Sequence, residues 1–185
     1  MLIRGERIHI VPFGNDHLNN SRYFAWLNDI DVVRYLGRDE YLEHIPFAEV
    51  QQYVEEVRAS KYCSFFAVYH TEENFFIGTA KINFLNDRGL KNKIADIGIM
   101  IGERDYWGKG LATDILRAIS QYAFVEMGVR KLTAGAASPN VAVLKAFERI
   151  GYVEEARLRR HLSIEGEGYC DHILLGCFRE ELQSA

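Results

Sequence analysis

With 185 residues, 48% of them hydrophobic, the chain is long enough to bury a substantial core and falls within the usual size of one domain. Its 22 Lys and Arg against 26 Asp and Glu leave a formal charge of -4, and the lack of a long basic run argues against nucleic acid as a partner. No run of about 18 apolar residues occurs, and residues 7–11 alternate without the charged and apolar regions of a signal peptide, so a soluble cytoplasmic protein with no membrane partner is expected.

Taken in chain order, Arg7 to Val11 reads as a strand ended by Pro12 and Gly14-Asn15. Asp16 is placed to cap a helix carrying Leu18, Tyr23, Trp26 and Leu27, and Asp29 to Val33 begins a further helical turn. Phe47, Val50, Val54 and Val57 recur at helical spacing after Pro46, which suits a helix start. Tyr62 to Tyr69 and Phe75 to Phe84, rich in aromatic and β-branched residues, predict a hairpin turning at Thr71 to Asn74. Asn86-Asp87-Arg88-Gly89 reads as a polar turn. The nearly continuous apolar run Ile94 to Ile101 then reads as a central strand buried on both faces.

From Leu111 the positions Ile115, Ala118, Ile119 and Tyr122 trace one buried helix face, which Gly128 stops. Lys131 to Gly135 is a short strand, so that strand, helix and strand form a crossover between parallel neighbours. Val143, Leu144, Phe147 and Ile150 mark another helix closed by Gly151, before strands at Tyr152 to Leu162 and Tyr169 to Phe178. No linker or repeat interrupts this order, which predicts a single domain over residues 1–185. Cys63, Cys170 and Cys177 lie in apolar runs without metal or redox spacing and read as reduced core residues. His9, His17, His44 and His70 have no ligand spacing and read as ordinary surface or strand histidines.

The segment Asp105-Tyr106-Trp107-Gly108-Lys109-Gly110-Leu111-Ala112 joins the central strand to the amphipathic helix. Free backbone N–H groups and the positive end of a helix dipole meet at such a turn, which suits a diphosphate. Gly108 and Gly110 remove the Cβ atoms that would hold a phosphate away and permit positive φ. A dinucleotide fingerprint would want Gly or Ala where Thr113 stands, and a Walker loop would want Ser or Thr directly after Lys109, so both are near misses. A tight connection that binds nothing is the plainer alternative.

The turn resembles the pyrophosphate signature Q/R-x-x-G-x-G/A of the GNAT acetyltransferase superfamily, departing from it at Asp105. Downstream, Ser138-Pro139-Asn140 followed by Ala146 to Tyr152 is similar to the family's N-x-x-S-x-x-L-Y-E-K-L-G-F segment. Gly166 to His172 resembles the Rim-type branch, with its ribosomal-protein N-terminal, spermidine and amino-sugar acetyltransferases. The resemblance spans about Arg7 to Glu180.

It implies an α+β fold: a mixed, mostly antiparallel sheet of six to seven strands, helices on both faces, and a splayed central parallel pair. It also implies acetyl-CoA as co-substrate, no metal, and direct acetyl transfer to a primary amine of a small molecule or protein N-terminus. The donor site it implies comprises the backbone of Ile99, Met100 and Ile101, the turn residues Tyr106, Trp107, Gly108, Lys109, Gly110, Leu111, Ala112 and Thr113, and beyond them Asn140, Lys145 and Phe147. Lys145 and Arg149 face the 3′-phosphate or simply solvent.

Asp96 matches the position of a family glutamate and is the first candidate base, with Asp171 and His172 behind it; a carboxylate satisfying local donors is the alternative for Asp96. Phe147 stands at the family's proton-donating tyrosine, which leaves water, Ser138 or Tyr152 to protonate the leaving thiolate. Trp26, Tyr35 and Asp171 fall where the acceptor pocket is built, though a tryptophan such as Trp26 is more often a core residue. Family members pair through C-terminal strands or helices, so a homodimer is the assembly implied.

Asp39, Glu40, Glu43, Glu49, Glu55 and Glu56 make the region before the hairpin acidic, a field that draws cationic amines. A polyamine, a basic N-terminus, an aminoglycoside and a nucleotide-linked amino sugar all remain open as acceptors. So does a catalytically weak acyl-CoA-binding relative acting as a sensor.

Overall fold

A computed structural model describes residues 1–36 and 44–183 of the chain. Eight strands, β1 (Ile3–Arg4), β2 (Ile8–Pro12), β3 (Cys63–His70), β4 (Phe75–Asn83), β5 (Ile94–Ile101), β6 (Lys131–Ala137), β7 (Val153–Ile164) and β8 (Gly168–Phe178), form one sheet in the order β1-β2-β3-β4-β5-β6-β8-β7. Neighbours run antiparallel except β5 and β6, which are parallel. Among the described residues seven α-helices accompany them: α1 (Asn15–Leu18), α2 (Ser21–Leu27), α3 (Ile30–Val33), α4 (Phe47–Ala59), α5 (Asp87–Asn92), α6 (Leu111–Val125) and α7 (Val141–Arg149).

Both faces of the sheet are covered. On one, Ile10, Phe66, Ile82 and Ile97 pack with Ile115 and Ile119 of α6 and Phe147 of α7. On the other, Phe13, Phe65, Phe76 and Met100 pack with Tyr23 and Trp26 of α2 and with Val50 and Val54 of α4. A third, smaller cluster joins Ala137, Ile164 and Cys170 to Tyr35 and Leu162. This is the mixed fold with helices on both faces that the sequence predicts, enlarged by β1, a two-residue strand too short to display alternation. Among the described residues no helix is long and apolar enough to cross a membrane.

Three local expectations change. Gly14 stands at the start of α1 and Asn20 caps α2 through Arg22 N, so the segment forms two short helices and Asp16 caps neither. Residues 86–89 open a helix rather than a plain turn, because the Asn86 side chain accepts from Gly89 N at 3.0 Å and caps α5. Strand β5 is not sealed on both faces: Ala95 and Ile97 are buried against α6, but Gly98 on the opposite face is exposed. All three cysteines are free, Cys170 and Cys177 buried and Cys63 half-buried. His17 is no surface histidine, since its Nδ1 accepts from Gly14 N and burial pushes its pKa down.

The N-terminal hairpin is tied to the first turn of α6 by one buried carboxylate. Asp114 accepts from Glu6 N at 2.9 Å and Arg7 N at 2.8 Å. Removing it strands two amides against the helix, so Asp114→Ala is expected to lower stability by about 2–3 kcal/mol. Urea unfolding followed by circular dichroism reads this as a lower midpoint at unchanged slope.

Candidate active site

The sheet opens at one place. Strands β5 and β6 pair through Ile94↔Lys131, Ala95↔Leu132 and Asp96↔Thr133, after which both continue without pairing to each other. Beyond that point β5 is held only by β4, which continues alongside it from Asp96 to Ile101. Gly78 allows this close pairing, since a Cβ there would strike the Met100 carbonyl oxygen. The resulting fork is a slot between two strands in which backbone groups can align an extended acyl chain.

Asp96 stands at the apex of the fork. Its Oδ2 accepts from Thr133 Oγ1 at 3.0 Å, and desolvation raises its pKa to about 6, outweighing the stabilising Thr133 hydrogen bond. A carboxylate of that affinity, at the last paired rung, titrates in the range that suits a proton acceptor near neutral pH.

On the α6 side of the fork lies the glycine turn. A single 3-10 turn at Arg104–Tyr106 leads through Trp107 to Gly108 at φ 71° and Gly110 at φ 77°, and α6 begins with no side-chain cap. The space about the position of a Gly108 Cβ is empty to 4 Å. Open amides at the start of a fifteen-residue helix, next to two glycines in the left-handed region, form an anion cradle.

The aromatic neighbours fix its shape. Trp107 Nε1 donates to the Ile101 carbonyl at 2.7 Å, and Tyr106 stacks on Phe75 at 5.9 Å while its hydroxyl donates to Glu73. Lys109 Nζ lies 5.1 Å from the centroid of the Tyr106 ring. Leu111 is buried, whereas Ala112 and Thr113 are half-exposed on the first turn, and Asp105 is exposed.

The remaining donor-site candidates divide by burial. Asn140 caps α7 by accepting from Val143 N at 3.4 Å. Lys145 and Arg149 lie on the solvent face of α7. Phe147 is buried against Tyr152, ring centroids 4.8 Å apart. The Tyr152 hydroxyl is itself buried in a 3.0 Å hydrogen bond with Ser120 Oγ, and burial drives its pKa far up. Ser138, between β6 and α7, is the remaining hydroxyl of the two weighed from sequence; its Oγ accepts from Asp171 N at 3.2 Å.

On the opposite face, a cavity of about 170 Å³ is lined by Gly98, Ile99 and Met100 of β5, Tyr23 and Leu27 of α2, Leu36, Tyr53 of α4, and Phe65, Thr79 and Lys81 of β3 and β4. Lys81 Nζ lies over the Tyr53 and Phe65 rings at 4.5 and 5.2 Å. A larger cavity of about 340 Å³ lies beyond α6 beside Arg4, Arg117 and Arg179, away from the fork. The smaller one adjoins the slot along Gly98 to Met100.

Of the acceptor candidates, Trp26 belongs to the core. It is buried, packs on Phe76 at 4.8 Å, bonds Glu103 through Nε1 at 3.2 Å, and lies where a Cβ on Gly102 would collide with it. Its helix neighbours Tyr23 and Leu27 line the cavity instead. Tyr35 donates to Glu167 at the tip of the β7–β8 hairpin.

Asp171 is occupied by the bulge in β7: Arg160 N at 3.0 Å and Arg157 at 3.3 Å hold its carboxyl below the usual range. A pKa pushed down makes it a poorer base than Asp96. Its neighbour His172 turns to the other side and lies against Gly135, beyond Thr133 on the unpaired arm of β6. Burial lowers the His172 pKa.

The acidic field is also displaced. Glu49, Glu55 and Glu56 point to solvent from α4, Asp39, Glu40 and Glu43 lie outside the described residues, and no carboxylate lines the cavity among the described residues.

The acetyltransferase (GNAT) domain matches residues 7–153 of the chain. The N-acetyltransferase p20 of Bacillus licheniformis is 24% identical over 150 residues, 76% of this chain and 82% of that protein. Among solved structures, spermidine N-acetyltransferase from Vibrio cholerae, in complex with CoA and spermine, superposes with a TM-score of 0.82 at 19% identity, covering 95% of this chain and 97% of that one. RimJ of Mycobacterium smegmatis, in complex with a CoA disulfide, gives 0.79 at 18% identity over 100% of this chain and 89% of that one.

Proposed function

The chain belongs to the acetyltransferase (GNAT) family and is an acetyl-CoA-dependent N-acetyltransferase, and from that premise we propose that it passes the acetyl group directly to a primary amine entering from the α2–α4 face of the fork. The observation that carries this reading is the end of β5–β6 pairing at Asp96↔Thr133, with the cavity beside Gly98 to Met100 on one face and the glycine turn on the other.

In this reading the CoA diphosphate lies on the amides from Gly108 to Thr113, those of Tyr106 and Trp107 being engaged by the Glu103 and Arg104 carbonyls, and the pantetheine arm runs between the unpaired lengths of β5 and β6. Backbone groups of Ile99 to Ile101 orient the thioester and polarise its carbonyl. The amine reaches the fork as an ammonium and has no lone pair until it loses a proton. Asp96 takes that proton, directly or through water; the amine nitrogen then bonds to the acetyl carbon as the carbon–sulfur bond breaks. The nitrogen sheds its second proton as the amide forms, and that proton reaches the leaving thiolate through water or Ser138, since the Tyr152 hydroxyl is engaged with Ser120.

The cavity wall favours an amine that carries an apolar or aromatic neighbour, such as a protein N-terminus or a compact small molecule, over a polyamine. Tyr23, Leu27, Tyr53 and Phe65 supply apolar surface, and the exposed acids of α4 lie elsewhere. An amine panel spanning N-terminal peptides, aromatic amines and polyamines, scored by product mass, tests this. Best turnover of spermine or spermidine would overturn the acceptor assignment while leaving the donor assignment intact.

Gly98 supplies a second test. A Cβ there meets no protein atom within 4 Å and lies at the cavity wall, so Gly98→Val is expected to reduce kcat/KM for the amine about ten- to a hundredfold. Acetyl-CoA affinity, read by calorimetry, should stay within about twofold of the parent value.

A further inference from the structure

The diphosphate signature of this chain lacks its usual cationic or amide side chain, because Asp105 stands where the resemblance calls for Gln or Arg. A guanidinium arrives at the same turn from the other end of the sequence. A Cβ on Gly110 would lie 3.3 Å from Arg7 Nη2, which places the Arg7 side chain against the residue that starts α6.

Its backbone is held on both sides. Arg7 N donates to Asp114 at 2.8 Å on the first turn of α6, and the Arg7 carbonyl accepts from Thr71 N at 2.8 Å at the β3–β4 turn. The side chain is exposed, and no carboxylate among the described residues pairs with it. Arg104, nearer in sequence, is committed to Asp29 at 3.5 Å and Asp31 at 2.9 Å. A planar, permanently charged fork anchored beside open helix amides is suited to phosphate oxygens.

We propose that Arg7 is a donor-binding residue, whose guanidinium pairs with the CoA diphosphate at Gly110 and supplies the side-chain contact that Asp105 does not. The inference rests on the reading of the glycine turn as the CoA site. It explains why Asp114 is buried under the N-terminal hairpin: the carboxylate fixes the segment that carries the cation.

Calorimetry on the full chain with CoA and with 3′-dephospho-CoA, for the parent, Arg7→Ala and Arg7→Lys, tests it. Arg7→Ala should weaken both ligands on the order of tenfold, and Arg7→Lys should recover part of the loss. The melting temperature of the exposed-site variants should stay close to that of the parent. Equal binding by parent and Arg7→Ala would overturn the assignment, as would a loss confined to CoA, which would move the contact to the 3′-phosphate. If the parent bound neither ligand, the CoA site itself would fall and the Arg7 assignment with it.

Discussion

Replacing Asp96 with Asn is expected to slow turnover by about a hundredfold or more while acetyl-CoA affinity is retained, because the change removes the proposed proton acceptor from the apex of the fork and nothing from the glycine turn. Asn keeps the shape and can still accept from Thr133 Oγ1. In the parent protein kcat/KM for the amine should rise with pH through an inflection near 6, where the half-buried carboxyl loses its proton. In the Asn variant that inflection should disappear, leaving only the dependence set by the amine itself.

Folding gives an independent control with a defined sign. The folded Asp96 pKa lies above the ordinary carboxylate value of 3.8, so the folded state binds this proton more tightly than the unfolded chain. Its contribution to stability is fully present below 3.8 and is lost as pH rises through about 6. At pH 7 the ionised group opposes folding. Asp96→Asn should therefore unfold no more readily than the parent at neutral pH, and a large loss of stability there would count against the desolvated position assigned to this carboxylate.

The second large effect belongs to Gly108. A valine at φ 71° is strained by roughly 1–2 kcal/mol, and its branched side chain would occupy the open space proposed to hold the diphosphate. Gly108→Val is expected to weaken acetyl-CoA binding about a hundredfold, while the strain alone lowers the melting temperature by only a few degrees. Calorimetric affinity and a thermal melt on the same sample separate the two. Unchanged affinity would mean that the ligand does not approach this turn.

Much of this architecture is legible in the sequence, for reasons that differ by element. The aromatic and β-branched runs of β3 and β4 and the apolar stripe of α6 are periodic over many residues, and periodicity survives tertiary context. The glycine turn is legible because positive φ leaves a chemical trace at Gly108 and Gly110. Short elements fare worse: β1 has two residues, and the split between α1 and α2 depends on whether Asp16 or Asn20 caps, which local sequence does not decide.

The acceptor side was the least legible. Trp26 and Tyr23 lie three residues apart on the same short helix, yet Trp26 packs beneath Gly102 while Tyr23 lines the cavity. Lys81 and Gly98 face each other across β4 and β5, a pairing set by register and invisible along the chain. The same holds for Arg7, brought to Gly110 by a carboxylate 107 residues away. Burial, too, separates Asp96 from Asp171: one carboxyl is desolvated and raised, the other is held by Arg160 N and Arg157 and lowered.

In the proposed reaction, acetyl-CoA bound at the glycine turn gives its acetyl group directly to an amine at the fork. The most direct measurement follows, in one reaction with a turned-over amine, the free CoA thiol, the acetylated product and the intact mass of the protein. Thiol and N-acetyl product should appear in equal amounts while the protein carries no acetyl group at any time. Thiol release without N-acetylated amine, or an acetylated protein that forms before the product and decays into it, would contradict direct transfer.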